Sequence, residues 1–166
     1  MKKIFFPGML LLMSLNVLAA PAVRTSIDVQ ADITTSVRIY VDGNDVTNGV
    51  ISLKLEDRSG YMSGTTPEFL FIGNASSVSL SLHSPGTRGL VSENNDIMLI
   101  NTAWVRPGGS EVSTSYPYNN ISVYPTIQDA PPDSGVKVRF SSAARSETFP
   151  LGTYSGTYEV IVSPTI

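Results

Sequence analysis

The sequence predicts an all-β fold, a single sandwich of about eight short strands. Three observations lead there. Apolar and polar residues alternate with period two in segment after segment, the mark of strands with one packed face and one wet face. Turn residues separate those segments. No stretch of the mature chain carries a helical period.

The chain opens on an export signal. Lys2 and Lys3 form a positive start, Ile4 to Leu18 are mostly apolar, and Ala19 and Ala20 are small. Cleavage is expected after Ala19, which puts Val17 and Ala19 in the peptidase's small pockets. Cutting after Ala20 would place the Pro21 ring against the scissile bond. The apolar run falls short of the roughly 20 residues a membrane anchor needs. Residues 1–19 are therefore read as a signal peptide, and the remainder suits one domain able to bury its own core.

Residues 20–33 follow. Ile27, Val29, Ala31 and Ile33 lie on one side of an extended chain, with Val23 continuing that side backwards. Asp28, Gln30 and Asp32 lie on the other side. Only Thr34, Thr35 and Ser36 separate this segment from the next alternation, and without Gly or Pro no hairpin is encoded there. The segment is thus either the start of one long first strand or a free strand waiting for an edge elsewhere.

The domain is expected over residues 34–166. Strands are predicted at Val37–Val41, Ile51–Leu55, Val78–Leu82, Ile121–Val123, Val136–Phe140 and Tyr158–Val162. Glu68–Ile72 and Ile97–Val105 are more continuously apolar and are predicted to be covered on both faces. Asp42-Gly43, Asn48-Gly49, Ser84-Pro85-Gly86, Pro107-Gly108-Gly109 and Ala130-Pro131-Pro132-Asp133 are the turns. Residues 106–120 and 128–135 read as the longest loops. Val37, Ile39, Leu53, Leu80, Leu82, Trp104, Val138 and Phe140 are the predicted core.

Composition excludes several kinds of chemistry. Nine of the eleven basic residues and all fourteen acidic ones follow the signal, so the mature chain is net acidic and no basic run offers itself to phosphates. No nucleic-acid partner is expected. There is no cysteine, and His83 is the one histidine. A zinc site or a Ser-His-Asp mechanism has too few parts. Glu56 and Asp57 are neighbours that diverge in a strand, and Asp42 and Asp45 sit in a turn where Asp serves local hydrogen bonding. Neither pair reads as a glycosidase or a calcium site. No enzyme, cofactor or metal is expected. Tyr116 and Tyr118 are the candidate surface aromatics for a glycan contact.

The two ends resemble a family. Ile27-x-Val29-x-Ala31-x-Ile33 is similar to the N-terminal extension of major pilins of the colonisation factor antigen I type, the class 5 fimbriae of the alternate chaperone–usher group. Gly152-Thr153-Tyr154-Ser155-Gly156, followed by Tyr158–Val162, resembles that family's C-terminal Gly-x-Tyr-Ser-Gly and closing strand. The middle matches loosely around Ile97–Gly109 and Ser113-Thr114. Length, signal peptide and the lack of cysteine suit it too. One departure is that Ile33-Thr34-Thr35 lacks the proline the family often has there.

The resemblance implies an immunoglobulin-like sandwich lacking its final strand and completed by a strand from a neighbour. Residues 20–33 would be that donor segment, with Ile27, Val29, Ala31 and Ile33 entering the neighbour's groove. It further implies export through the periplasm to a surface fimbrium that serves adhesion. The partners would be identical or related pilin subunits, a periplasmic chaperone, an outer-membrane usher, a tip adhesin and a host glycan. Four apolar side chains in a groove are worth on the order of 4–8 kcal/mol before ordering costs. The competing reading is an exported monomeric carbohydrate-binding β-sandwich. The two differ in one observable: a monomer pairs its first strand inside its own fold, whereas a pilin leaves it outside. No concave polar site is legible in the sequence, so any host contact by this subunit is expected to be weak and multivalent.

Overall fold

The computed structural model describes residues 24–165, which separate into a short N-terminal unit ending at Asp32 and a domain beginning at Ile33. The predicted signal peptide and Val23 lie outside the described residues. The domain is all-β, an immunoglobulin-like sandwich of antiparallel sheets. Among the described residues no helix is long and apolar enough to cross a membrane.

Among the described residues thirteen strands follow in chain order. They are β1 (Val37–Val41), β2 (Asn44–Asp45), β3 (Glu56–Arg58), β4 (Tyr61–Thr65), β5 (Phe69–Gly73), β6 (Ser77–His83) and β7 (Gly89–Ser92), then β8 (Ile97–Val105), β9 (Glu111–Ser113), β10 (Tyr118–Ser122), β11 (Lys137–Ser142), β12 (Tyr154–Ser155) and β13 (Glu159–Thr165). Several are two- or three-residue ladders too short to show an alternation, which is why the pattern resolves fewer.

One layer combines two three-stranded sheets, β2-β1-β5 and β10-β6-β13. Tyr124 ties them: its N–H donates to the Phe71 carbonyl and its carbonyl accepts from Gly73 N–H. The other layer is a seven-stranded sheet in the order β12-β7-β8-β11-β4-β3, with β9 added to β8. Between the layers sit Phe71, Val78, Leu80, Trp104, Val136 and Val138, all essentially inaccessible. All but Val136, which bridges to Phe69 just before β11, come from strands whose alternate residues face out.

Turn chemistry agrees with the sequence at the first hairpin. Asp42 (φ 48°) and Gly43 (φ 77°) both take the left-handed conformation that a two-residue hairpin between β1 and β2 requires. Arg38 on β1 reaches across to Asp45 on β2 at 2.8 Å. Hydrogen bonds from Thr47 and Arg38 hold the Asp45 carboxyl down at about 2. Because that value lies below the ordinary 3.8, the stabilisation is complete above about pH 4 and is lost as pH falls toward 2. Asp45→Asn is expected to remove this acid-sensitive contribution, read as a flatter unfolding curve between pH 4 and pH 2.

Several expectations are corrected. Residues 51–55 alternate but belong to no ladder. Their flank is the space beside β13, where no strand lies. β8 is covered on one face only: Met98 and Trp104 point inward, while Ile97 and Leu99 are about half exposed. The predicted loop at 106–120 contains β9 and the start of β10. β3, β4, β7 and β12 were not anticipated, and each is short or polar on its outer face.

Candidate interaction groove

Of the eight predicted core residues, Leu80, Trp104 and Val138 are fully buried. The remaining five are not. Val37, Ile39, Leu82 and Phe140 are half-buried, and Leu53 is 37% exposed. All five line one open groove of about 1180 Å³. The shortfall in burial is therefore localised: side chains patterned for a core face a space that nothing in the domain fills.

The walls of the groove explain its openness. On one side run β1 and the stretch 46–55, whose start is tied to β1 by the Val46 N–H to Ile39 carbonyl bond and whose residues 50–55 join no ladder. Gly64 on β4 lets that stretch pass close, since a Cβ there would come within 2.9 Å of Leu55 Cδ2 and 3.3 Å of the Lys54 carbonyl. On the other side runs β13, with Val160 and Val162 packed toward the core. β13 ends its sheet, bonded to β6 along one edge only. Its second edge presents unpaired backbone groups, a template for an added strand. Pro164 lies in β13, and proline, having no N–H, is confined to such edge strands.

Apolar side chains share the lining with polar ones, among them the buried Thr66. Phe140 and Tyr158 meet edge to face, 4.9 Å between centroids. Burial pushes the Tyr158 phenol above its ordinary pKa. Its hydroxyl is buried without a hydrogen-bond partner among the described residues. His83, at the end of β6, stands exposed at the groove's rim.

The N-terminal residues have a different character. Residues 24–36 carry no regular secondary structure. Ile27, Val29 and Ile33 are between 82% and 88% exposed, and Ala31 is exposed too. The domain's grip on its chain starts at Thr34. Asn74 donates through Nδ2 to the Thr34 carbonyl, and its Oδ1 accepts from Ser36 N–H at 2.7 Å. Gly73 beside it must be glycine, because a Cβ would lie 2.1 Å from the Ser36 carbonyl oxygen.

The other sequence candidates are dispersed. Tyr116 is 76% exposed on a loop. Tyr118 lies on β10, half-buried against the core, with the Arg106 guanidinium 5.6 Å from its ring centre. Asp57 accepts hydrogen bonds from the Ser146 hydroxyl and from Gly60 N–H, which lower its pKa. Among the described residues no three His, Asp or Glu side chains converge as a metal-ligand set. The groove itself had no sequence signal beyond core-patterned residues, of which Val37, Ile39, Leu82 and Phe140 pack against the core and are left half-buried along the groove.

No protein-family model matches the chain, and no curated protein matches it. A chain in a solved chaperone–tip adhesin complex of CFA/I fimbriae biogenesis is similar over 78% of this chain, at 14% identity and a TM-score of 0.47. The present chain spans 42% of the length of that one.

Proposed function

We propose that the chain is a non-enzymatic fimbrial subunit that polymerises by strand donation. Ile27, Val29, Ala31 and Ile33 of one copy enter the groove of the next, and the filament serves surface adhesion. The observation that supports this most directly is the pairing of two incomplete features in one sequence. One is an apolar groove flanked by the free edge of β13. The other is an exposed segment alternating apolar and acidic or amide residues. Each lacks what the other supplies. The groove's apolar walls and the free edge of β13 lack a covering strand, and the segment carries both apolar side chains and free backbone groups. A contact in which one copy's tail fills the next copy's groove is head-to-tail and extends without closing. Export through the periplasm, with a chaperone occupying the groove beforehand and an usher and tip adhesin as further partners, belongs to the same reading.

The test is complementation in trans. A chain lacking residues 20–33 is mixed with a synthetic peptide of those residues. At a hundredfold excess over Kd, the peptide is expected to stabilise the domain by about 2.7 kcal/mol. For a domain of this size that is a rise of about 5–10 °C in Tm. Amides at 50–55, outside any ladder in the empty domain, are expected to gain protection from hydrogen exchange. A scrambled peptide giving the same rise, or the native one giving none, would count against strand donation and favour the monomeric binding module.

A further inference from the structure

A strand-donating subunit faces competition from itself. The donor segment and the groove belong to one chain, joined through residues 34–36. A short flexible connection gives a tethered segment an effective concentration in the millimolar range. Against neighbours at micromolar concentration, that favours self-insertion by about a thousandfold. A connection that cannot follow the required path lowers the advantage to near zero. The geometry of residues 34–36 therefore decides which groove the segment fills.

Strand ends fix the path. Val37, at the start of β1, and Pro164, near the end of β13, line the same groove. Asn74 N–H donates to the Ser36 carbonyl and Ser76 N–H to the Thr165 carbonyl, so Ser36 and Thr165 meet at one end of that groove. β1 sets out from this end and β13 arrives at it. Residues 20–33 precede Ser36. They could enter their own groove only by reversing over 34–36 and lying back alongside β13. A connection of that length suffices for a hairpin loop when it is free to turn.

Residues 34–36 are not free to turn. The Ser36 carbonyl accepts from Asn74 N–H at 3.2 Å, and Ser36 N–H donates to Asn74 Oδ1 at 2.7 Å. Asn74 Nδ2 donates to the Thr34 carbonyl at 3.1 Å. β5 ends at Gly73, and the Asn74 side chain carries its pairing on to the residues ahead of β1. Residues 34–36 take no positive φ, the backbone state a tight reversal uses. Thr34 and Thr35 make no other hydrogen bond among the described residues. Asn74 itself is exposed and adds nothing to the core.

We infer that Asn74 is a positioning residue: by holding residues 34–36 extended, it denies the donor segment its own groove and leaves it for a neighbour's. The inference rests on the strand-donation reading and adds what directs the strand outward. Its chemistry suits the task. A side-chain amide both donates and accepts, so one residue can hold a carbonyl and an N–H of the same passing chain.

The test refolds the mature chain, residues 20–166, at micromolar concentration and reads sedimentation, Tm and amide hydrogen exchange. The wild type is expected to polymerise. Asn74→Ala keeps the backbone bond to Ser36 but frees Thr34 and Thr35. It is expected to lower polymer about tenfold or more in favour of monomers, as the tethered segment reclaims its effective concentration. In those monomers the amides of residues 27–33 are expected to gain protection to the same degree at every protein concentration. A flexible Gly-Ser insert of about six residues between Ile33 and Thr34 leaves the clamp whole yet supplies the turn, and is expected to give the same monomers. The gain of protection separates positioning from a mere loss of structure. Polymer from either variant at the wild-type level overturns the inference and leaves strand donation standing. Monomers whose residues 27–33 stay unprotected do so too. A wild-type chain that forms no polymer, and whose domain without residues 20–33 takes up no peptide of that segment, overturns strand donation and this inference with it.

Discussion

Val29→Asp is expected to abolish polymer formation while the domain of residues 34–165 stays folded. Val29 is near the middle of the alternating segment and is 88% exposed, so the domain's own core does not depend on it. In a neighbour's groove the same side chain would lie among residues such as Val160, Val162 and Phe140. An aspartate there must either take up a proton or be buried unpaired, at a cost of several kcal/mol. That matches the whole apolar gain of on the order of 4–8 kcal/mol that the four donor residues bring. Gln30→Asp is the matched control, because its side chain points to the opposite side of the strand. Electron microscopy of cells making each variant, with circular dichroism of the chaperone-held subunit, separates the outcomes. Fibres from Val29→Asp equal to those of the control would sink strand donation. Loss of the subunit's own fold would instead put residues 20–33 inside its sheet.

The second large effect is on stability. Trp104→Ala is expected to cost about 3–5 kcal/mol, as for other buried aromatics. Trp104 is fully inaccessible, near the end of β8 and paired in register with Val138. That loss is a large part of the 5–15 kcal/mol a domain of this kind has in total. The indole N–H is buried without a partner among the described residues, and leaving such a donor unmade costs about 1–3 kcal/mol. Trp104→Phe removes volume but also that donor, so its cost is expected to fall well below the alanine variant's. Urea unfolding of the three proteins gives the comparison. Equal losses for Phe and Ala would mean that the indole nitrogen is satisfied.

The wide outer surface of the sandwich was hard to read beforehand. Ser63, Thr65, Asn101, Arg139 and Ser141 are spread over 79 positions of sequence, and only the β4–β11–β8 register gathers them on one face. The same holds for Asn74, which clamps Thr34 and Ser36 from forty and thirty-eight residues away. Contacts of that kind leave no local pattern.

By itself the sequence determined the fold class, the turn at Asp42-Gly43, the inward residues of β6 and β11, and the alternation of Ile27, Val29, Ala31 and Ile33. All of these follow from side-chain period and local backbone preference. It also marked Ile51, Leu53 and Leu55 as a strand, and Val37, Ile39, Leu82 and Phe140 as core, which pack against the core but are only half-buried. The missing strand and the incomplete burial have one reason. Period two states that a segment has an apolar face, but whether that face is covered depends on an edge and a layer supplied from elsewhere. Only the tertiary structure decided that β13 ends its sheet, that residues 51–55 run unpaired beside it, and that the space between them stays open.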